Sequence, residues 1–118
     1  MSQFLRDSCY HIANTYAACI EFHLDEHRRR GFNSSQLIAF SLDPNPDADG
    51  DKNQPPQKLA LTFSTADVVV LGWRLNLMTD YLRDNKLLAV GVLSKRFAEL
   101  ENKSALVSSI IITPVGKE

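Results

Sequence analysis

Two histidines and a glutamate lie within five residues of one another, in the segment HLDEH at residues 23–27. His23 and His27 are four positions apart, so on an α-helix their rings would project from one face with Glu26 beside it. Imidazole is a common metal ligand, and a carboxylate beside the metal can polarise its bound water. A helical HLDEH segment could therefore form a zinc-dependent hydrolytic site.

The spacing H-x-x-E-H is similar to the signature of the inverzincin metallopeptidases. The resemblance covers five residues, and it implies that His23 and His27 hold zinc while Glu26 activates water. A third ligand would have to come from a distal glutamate such as Glu99 or Glu101. The resemblance thus defines an alternative function, a metal-dependent hydrolase in which His23 and His27 are the metal ligands and Glu26 is the catalytic residue.

The same histidines also continue an apolar stripe that recurs at steps of three and four residues. The stripe consists of Leu5, Cys9, Ile12, Tyr16, Cys19 and Ile20. This periodicity predicts one long amphipathic helix, which the three arginines at 28–30 and a left-handed cap at Gly31 would end. We therefore expect His23 and His27 to cover the end of the core, with no metal or other cofactor bound.

The segment LDPNPDADGD at 42–51 places side-chain oxygens on alternate positions, as a calcium loop does, with Asn45 among four aspartates. Counted from Asn45, the sixth position is Gly50 as required, but the twelfth is Pro56, which has no side-chain oxygen. No helix is predicted on either side of the segment. We interpret residues 43–56 as a flexible acidic loop.

Two cysteines lie ten positions apart in the predicted helix. A rise of about 1.5 Å per residue would separate Cys9 from Cys19 by roughly 15 Å, too far for a disulfide. We expect both thiols to stay free and to pack on the apolar face, and free thiols are typical of the cytoplasm.

Aromatic and sulfur-containing side chains in the second half of the chain could line an apolar pocket between helix and sheet. The candidate ligand-pocket residues are Phe63, Trp73, Met78 and Tyr81. Such residues more often form the core itself.

The remaining pattern alternates strands with one further helix. Strands are predicted at 35–42, 58–63, 67–73, 86–94 and 106–115, and a helix is predicted at 73–84. A capping box of Ser64 and Asp67 would alternatively open one long helix that continues to Asn85, but the β-branched residues 68–70 and the break at Gly72 favour a strand. Pro114 should end the last strand or confine it to an edge. The first two strands should pair as a hairpin. The predicted fold is α+β, with the long N-terminal helix and the second helix packed on one face of a mostly antiparallel sheet of four or five strands.

Composition limits the function further. The chain has 118 residues, 44% apolar content and a net charge of -1, which suit a single domain over 1–118 and argue against nucleic acid as a partner. No apolar run is long enough to span a membrane, so we expect a cytoplasmic protein. The last two strands are apolar on both faces, which a second copy could cover. We expect a non-catalytic homo-oligomeric module, a dimer, that binds a protein or a small apolar ligand.

Overall fold

The protein folds mainly as β-strands. The computed structural model describes residues 9–25, 27–48, 54–92 and 105–115. The strands are β1 (Tyr10–Ile12), β2 (Cys19–His23), β3 (Arg29–Asn33), β4 (Leu37–Pro44), β5 (Gln57–Phe63), β6 (Ala66–Trp73), β7 (Leu87–Gly91) and β8 (Leu106–Pro114), and the α-helix is α1 (Asn76–Arg83). Within those ranges α1 is too short to cross a bilayer.

The strands form two sheets of four. The first, sheet A, has the order β1-β7-β2-β3, and the second, sheet B, has the order β4-β5-β6-β8. Every pair is antiparallel except β2 and β7, which run parallel. A parallel pair needs a long crossover, and here β3, three strands of sheet B (β4, β5 and β6) and α1 lie between the two strands in sequence.

The two sheets share one core. Along the central strands of sheet B, buried apolar side chains alternate with more exposed ones. On β5, Leu59, Leu61 and Phe63 are buried. The Phe63 ring of sheet B stacks on Phe32 of sheet A at a centroid distance of 4.6 Å and meets Phe22 edge-on at 6.1 Å. These three aromatic rings join the sheets.

The predicted N-terminal helix is wrong, and with it the α+β fold class: the described part of this region contains β1, β2 and β3. Ile20 and Phe22 are buried and alternate with Cys19 and Glu21, which is the period of a strand. Cys19 and Ile20 also belong to the predicted helical stripe, so the sequence fitted both the period of a helix and that of a strand. The sheet supplies Val90 and Phe32 as partners for Phe22 and Ile20, and tertiary pairing selects the strand.

The expected helix end is instead a hairpin. Asp25 Oδ1 accepts hydrogen bonds from the backbone N–H groups of His27 and Arg28, at 2.8 and 2.9 Å, and so turns the chain from β2 into β3. Gly31 lies within β3 opposite Glu21, and it does not cap a helix.

The elements predicted after residue 35 are largely confirmed. β4 and β5 pair as an antiparallel hairpin, and residues 66–73 form a strand, not the start of a helix. α1 begins at Asn76, later than predicted, because β6 continues to Trp73, which pairs with Leu106. β8 ends at Pro114 and lies at an edge of its sheet, as the proline predicts.

The described ends of the acidic segment are held in place. Asp43 and Pro44 belong to β4. The buried Asn45 donates from Nδ2 to the Pro55 carbonyl at 2.8 Å, and its N–H donates to Pro56 at 2.9 Å. Residues 49–53 lie outside the described residues. The flexibility of the loop, like the single domain over 1–118, stays a prediction.

Candidate functional site

The predicted metal ligands lie on the β2–β3 hairpin. His23 is the last residue of β2, His27 is an exposed residue of the turn, and Glu26 lies outside the described residues. The helical geometry that placed both rings on one face is therefore absent. Among the residues that the structure describes, no group of three or more His, Cys, Asp or Glu side chains could hold a metal ion.

His23 forms a polar cluster with its neighbours on the face of β2 opposite the core. Its Nε2 lies 3.0 Å from Glu21 Oε1, and Arg29 Nη1 lies 3.8 Å from the same oxygen. The His23 side chain is only 11% exposed, while those of Glu21 and Arg29 are about half exposed. The Glu21 carboxylate accepts a hydrogen bond from His23 and forms an ion pair with Arg29 of β3, so the cluster ties β2 to β3.

Cys19 lies on this same face, and the expectation that it packs inertly in the core is wrong, because it is exposed. Cys19 and His23 are separated by four residues along the strand, about 13 Å at 3.3 Å per residue. That distance excludes a thiol–imidazole catalytic pair. Cys9 is buried, and its Sγ accepts a hydrogen bond from Val107 N at 3.2 Å. Both cysteines are free thiols, as expected.

The turn of this hairpin carries a charged pair. Asp25 Oδ2 accepts from Arg28 Nε at 2.8 Å. The pKa of Asp25 is lowered, first because its carboxylate accepts from the backbone N–H of His27, and next because it accepts from the Arg28 side chain. The pair shapes the turn.

The four candidate pocket residues lie in or against a single hydrophobic core. Phe63 and Met78 are fully buried, and Trp73 and Tyr81 pack partly buried against the same cluster. The four side chains fill space in this core, beside the sheets or beside α1. Ligand binding by these residues stays a prediction.

The outer strands of the sheets differ in how they are protected from pairing with another chain. Unpaired strand edges attract further strands, and proteins blunt them with short length, charge, proline or bulges. β1 has three residues, and β3 carries Arg29 and Arg30. β4 has a register irregularity between Leu37 and Ala39 and ends in Asp43 and Pro44.

β8 has a register irregularity opposite Leu71 and Gly72 and a final proline, as β4 does, but it lacks the other devices. Its nine residues, LVSSIIITP, contain no charge, and proline occurs only at the last position. Among the described strands only β6 pairs with it. Ile111 is 52% exposed, which leaves a β-branched apolar side chain in water at the middle of the edge. This strand is the candidate functional site.

The apolar surface at the β8 edge continues onto the outer face of sheet B. Residues paired across a ladder share a face, and the register places Ile111 beside Val69, and Val69 beside Ala60. Val69 and Ala60 are half-buried. Together these three residues form what we call the apolar row.

Sequence reasoning identified β8 as a strand but did not identify it as a site. The available signal was the uncharged run from 105 to 115, but residues 31–42 are uncharged as well, so charge alone does not single out β8. Which strands become edges depends on the sheet order, and a single sequence does not display that order.

Comparisons of the chain with protein-family models, with curated proteins and with solved structures found no match. The function must therefore be argued from the β8 edge and its surroundings.

Proposed function

We propose that this protein is a non-catalytic binding module that works as a homodimer, and that two copies join edge to edge through β8. The observation that carries the proposal is that β8, with nine residues the longest outer strand of the described fold, carries no charge, whereas β3 carries two arginines and β4 ends in Asp43 and Pro44. An edge that is long, uncharged and apolar at its centre is suited to strand addition.

A second copy is the partner that this edge suits best. Two β8 strands that run antiparallel bring together no like charges, because residues 105–115 contain none. Each copy offers the same patch, which is the self-complementary arrangement of a two-fold dimer. The result would be one continuous sheet of eight strands, and neither β8 would remain an edge.

Further partners of the dimer, a protein or a small apolar ligand, are part of the same proposal. The side chains of Glu21, His23 and Arg29 bind one another, which supports a structural role for this cluster. No described residue favours the metal-dependent alternative.

Two matched lysine substitutions test the proposal. Ile111→Lys places a charge at the centre of the β8 edge, and two such charges would face each other in the dimer. Ile38→Lys places the same charge on β4, where the side chain is 68% exposed. We expect sedimentation at micromolar concentration to show monomers for Ile111→Lys and dimers for Ile38→Lys. The proposal fails if both variants have the same mass.

A further inference from the structure

We infer that the two-fold axis of the dimer passes beside Ile111, so that Ile111 of one copy faces Ile111 of the other. The inference rests on the proposed association through β8 and adds its register. The register determines which side chains meet across the interface.

The alternation of side chains between the two faces of the sheet restricts where the two-fold axis can lie. The register with β6 places Ile110 and Ile112 on the inner face, opposite Val70 and Val68, and places Ser109, Ile111 and Thr113 on the outer face. Residues paired between antiparallel strands share a face. A symmetric β8 pair must therefore have its axis beside a residue and its own copy, never between two positions.

The first residues of β8 are not available for pairing. Leu106 and Val107 are buried, and the Val107 N–H donates to Cys9 Sγ. An axis beside Ser109 or Ile110 would place Val107 opposite Ile111 or Thr113 of the partner subunit. An axis beyond Ile111 would shift Pro114, which has no N–H, further into the paired region.

An axis beside Ile111 leaves Val107 outside the β8–β8 ladder and keeps Pro114 at its end, opposite Ser108 of the partner subunit. It pairs Ile110 with Ile112 of the partner subunit on the inner face, and Ser109 with Thr113 of the partner subunit on the outer face. β-Branched pairs and Ser–Thr pairs both stabilise antiparallel sheets. Each exposed Ile111 side chain would be covered by the other.

This register also joins the apolar rows of the two copies. Ala60, Val69 and Ile111 of one copy would continue directly into Ile111, Val69 and Ala60 of the partner subunit. The dimer would carry one apolar strip across the outer face of an eight-stranded sheet. Each copy alone has half of it.

Single cysteines at three outer positions test the register. In a Cys19→Ser background, which removes the exposed native thiol, Ile111→Cys, Ser109→Cys and Thr113→Cys are each oxidised mildly and run on a non-reducing gel. Paired residues have Cβ atoms about 5 Å apart, close to disulfide distance. Residues 109 of the two copies would lie roughly 13 Å apart along the strands.

We expect a covalent dimer from Ile111→Cys and monomers from the other two variants. Cross-linking at 109 or 113 instead would overturn the Ile111 axis and leave the β8 association standing. Cross-linking at none of the three positions would also overturn the Ile111 axis. The sedimentation mass of the Ile111→Lys variant would then decide whether β8 pairs with a second copy.

Discussion

At the scale of single residues, Gly72 shows how closely β6 and β8 approach. A Cβ built on Gly72 would lie 2.0 Å from the Leu106 carbonyl oxygen and 3.0 Å from Leu75 Cδ2. Backbone atoms cannot move aside as a flexible side chain can, so β8 itself would have to shift. The glycine in the sequence indicated the end of a strand, whereas in the structure it permits a close strand contact.

We predict that Gly72→Ala lowers the free energy of unfolding by about 2–3 kcal/mol, because it overpacks the β6–β8 ladder. Gly31→Ala is the matched control: its new methyl group would lie 3.2 Å from Cys19 Sγ, the end of an exposed side chain. Its effect should be below about 1 kcal/mol. Urea unfolding measures both values, and equal losses would show that the close contact is not rigid.

At the scale of elements, the β2–β3 hairpin depends on its turn. The Asp25 carboxylate holds two backbone N–H groups and the Arg28 side chain. Its pKa is lowered in the folded protein, so its contribution to stability is present above the unfolded pKa of about 3.9 and is lost as the pH falls through the lower folded value.

We predict that Asp25→Ala lowers the melting temperature at neutral pH. Asp25→Asn should lower it less, because the amide oxygen can still accept from the His27 and Arg28 N–H groups. Both variants should lose less stability than the unaltered protein when the pH falls below about 4. Thermal unfolding at several pH values checks this, and an unchanged acid dependence in both variants would contradict it.

The elements also show where sequence reasoning succeeded and where it failed. β4 to β8 and α1 were predicted because their alternating or continuous apolar runs have turn residues between them. The first third of the chain was misjudged because Ile20 and His23, three apart, fit a helix, while Ile20 and Phe22, two apart, fit a strand. Long-range pairing with β7 decided between the two. Propensity could not supply that information.

At the scale of the whole molecule, the two sheets bury most of the apolar surface that suggested a second copy. β7 is apolar on both faces, but it lies inside sheet A between β1 and β2 and is buried there. β8 is different, because Ile111 at its centre remains half exposed. The sequence argument for a dimer therefore applies to β8 alone.

The central claim is that β8 pairs with β8 of a second copy. Sedimentation equilibrium of the unaltered protein at micromolar concentration tests it most directly. We predict a mass of twice the 13.2 kDa chain. A mass of 13.2 kDa throughout that concentration range would contradict the account.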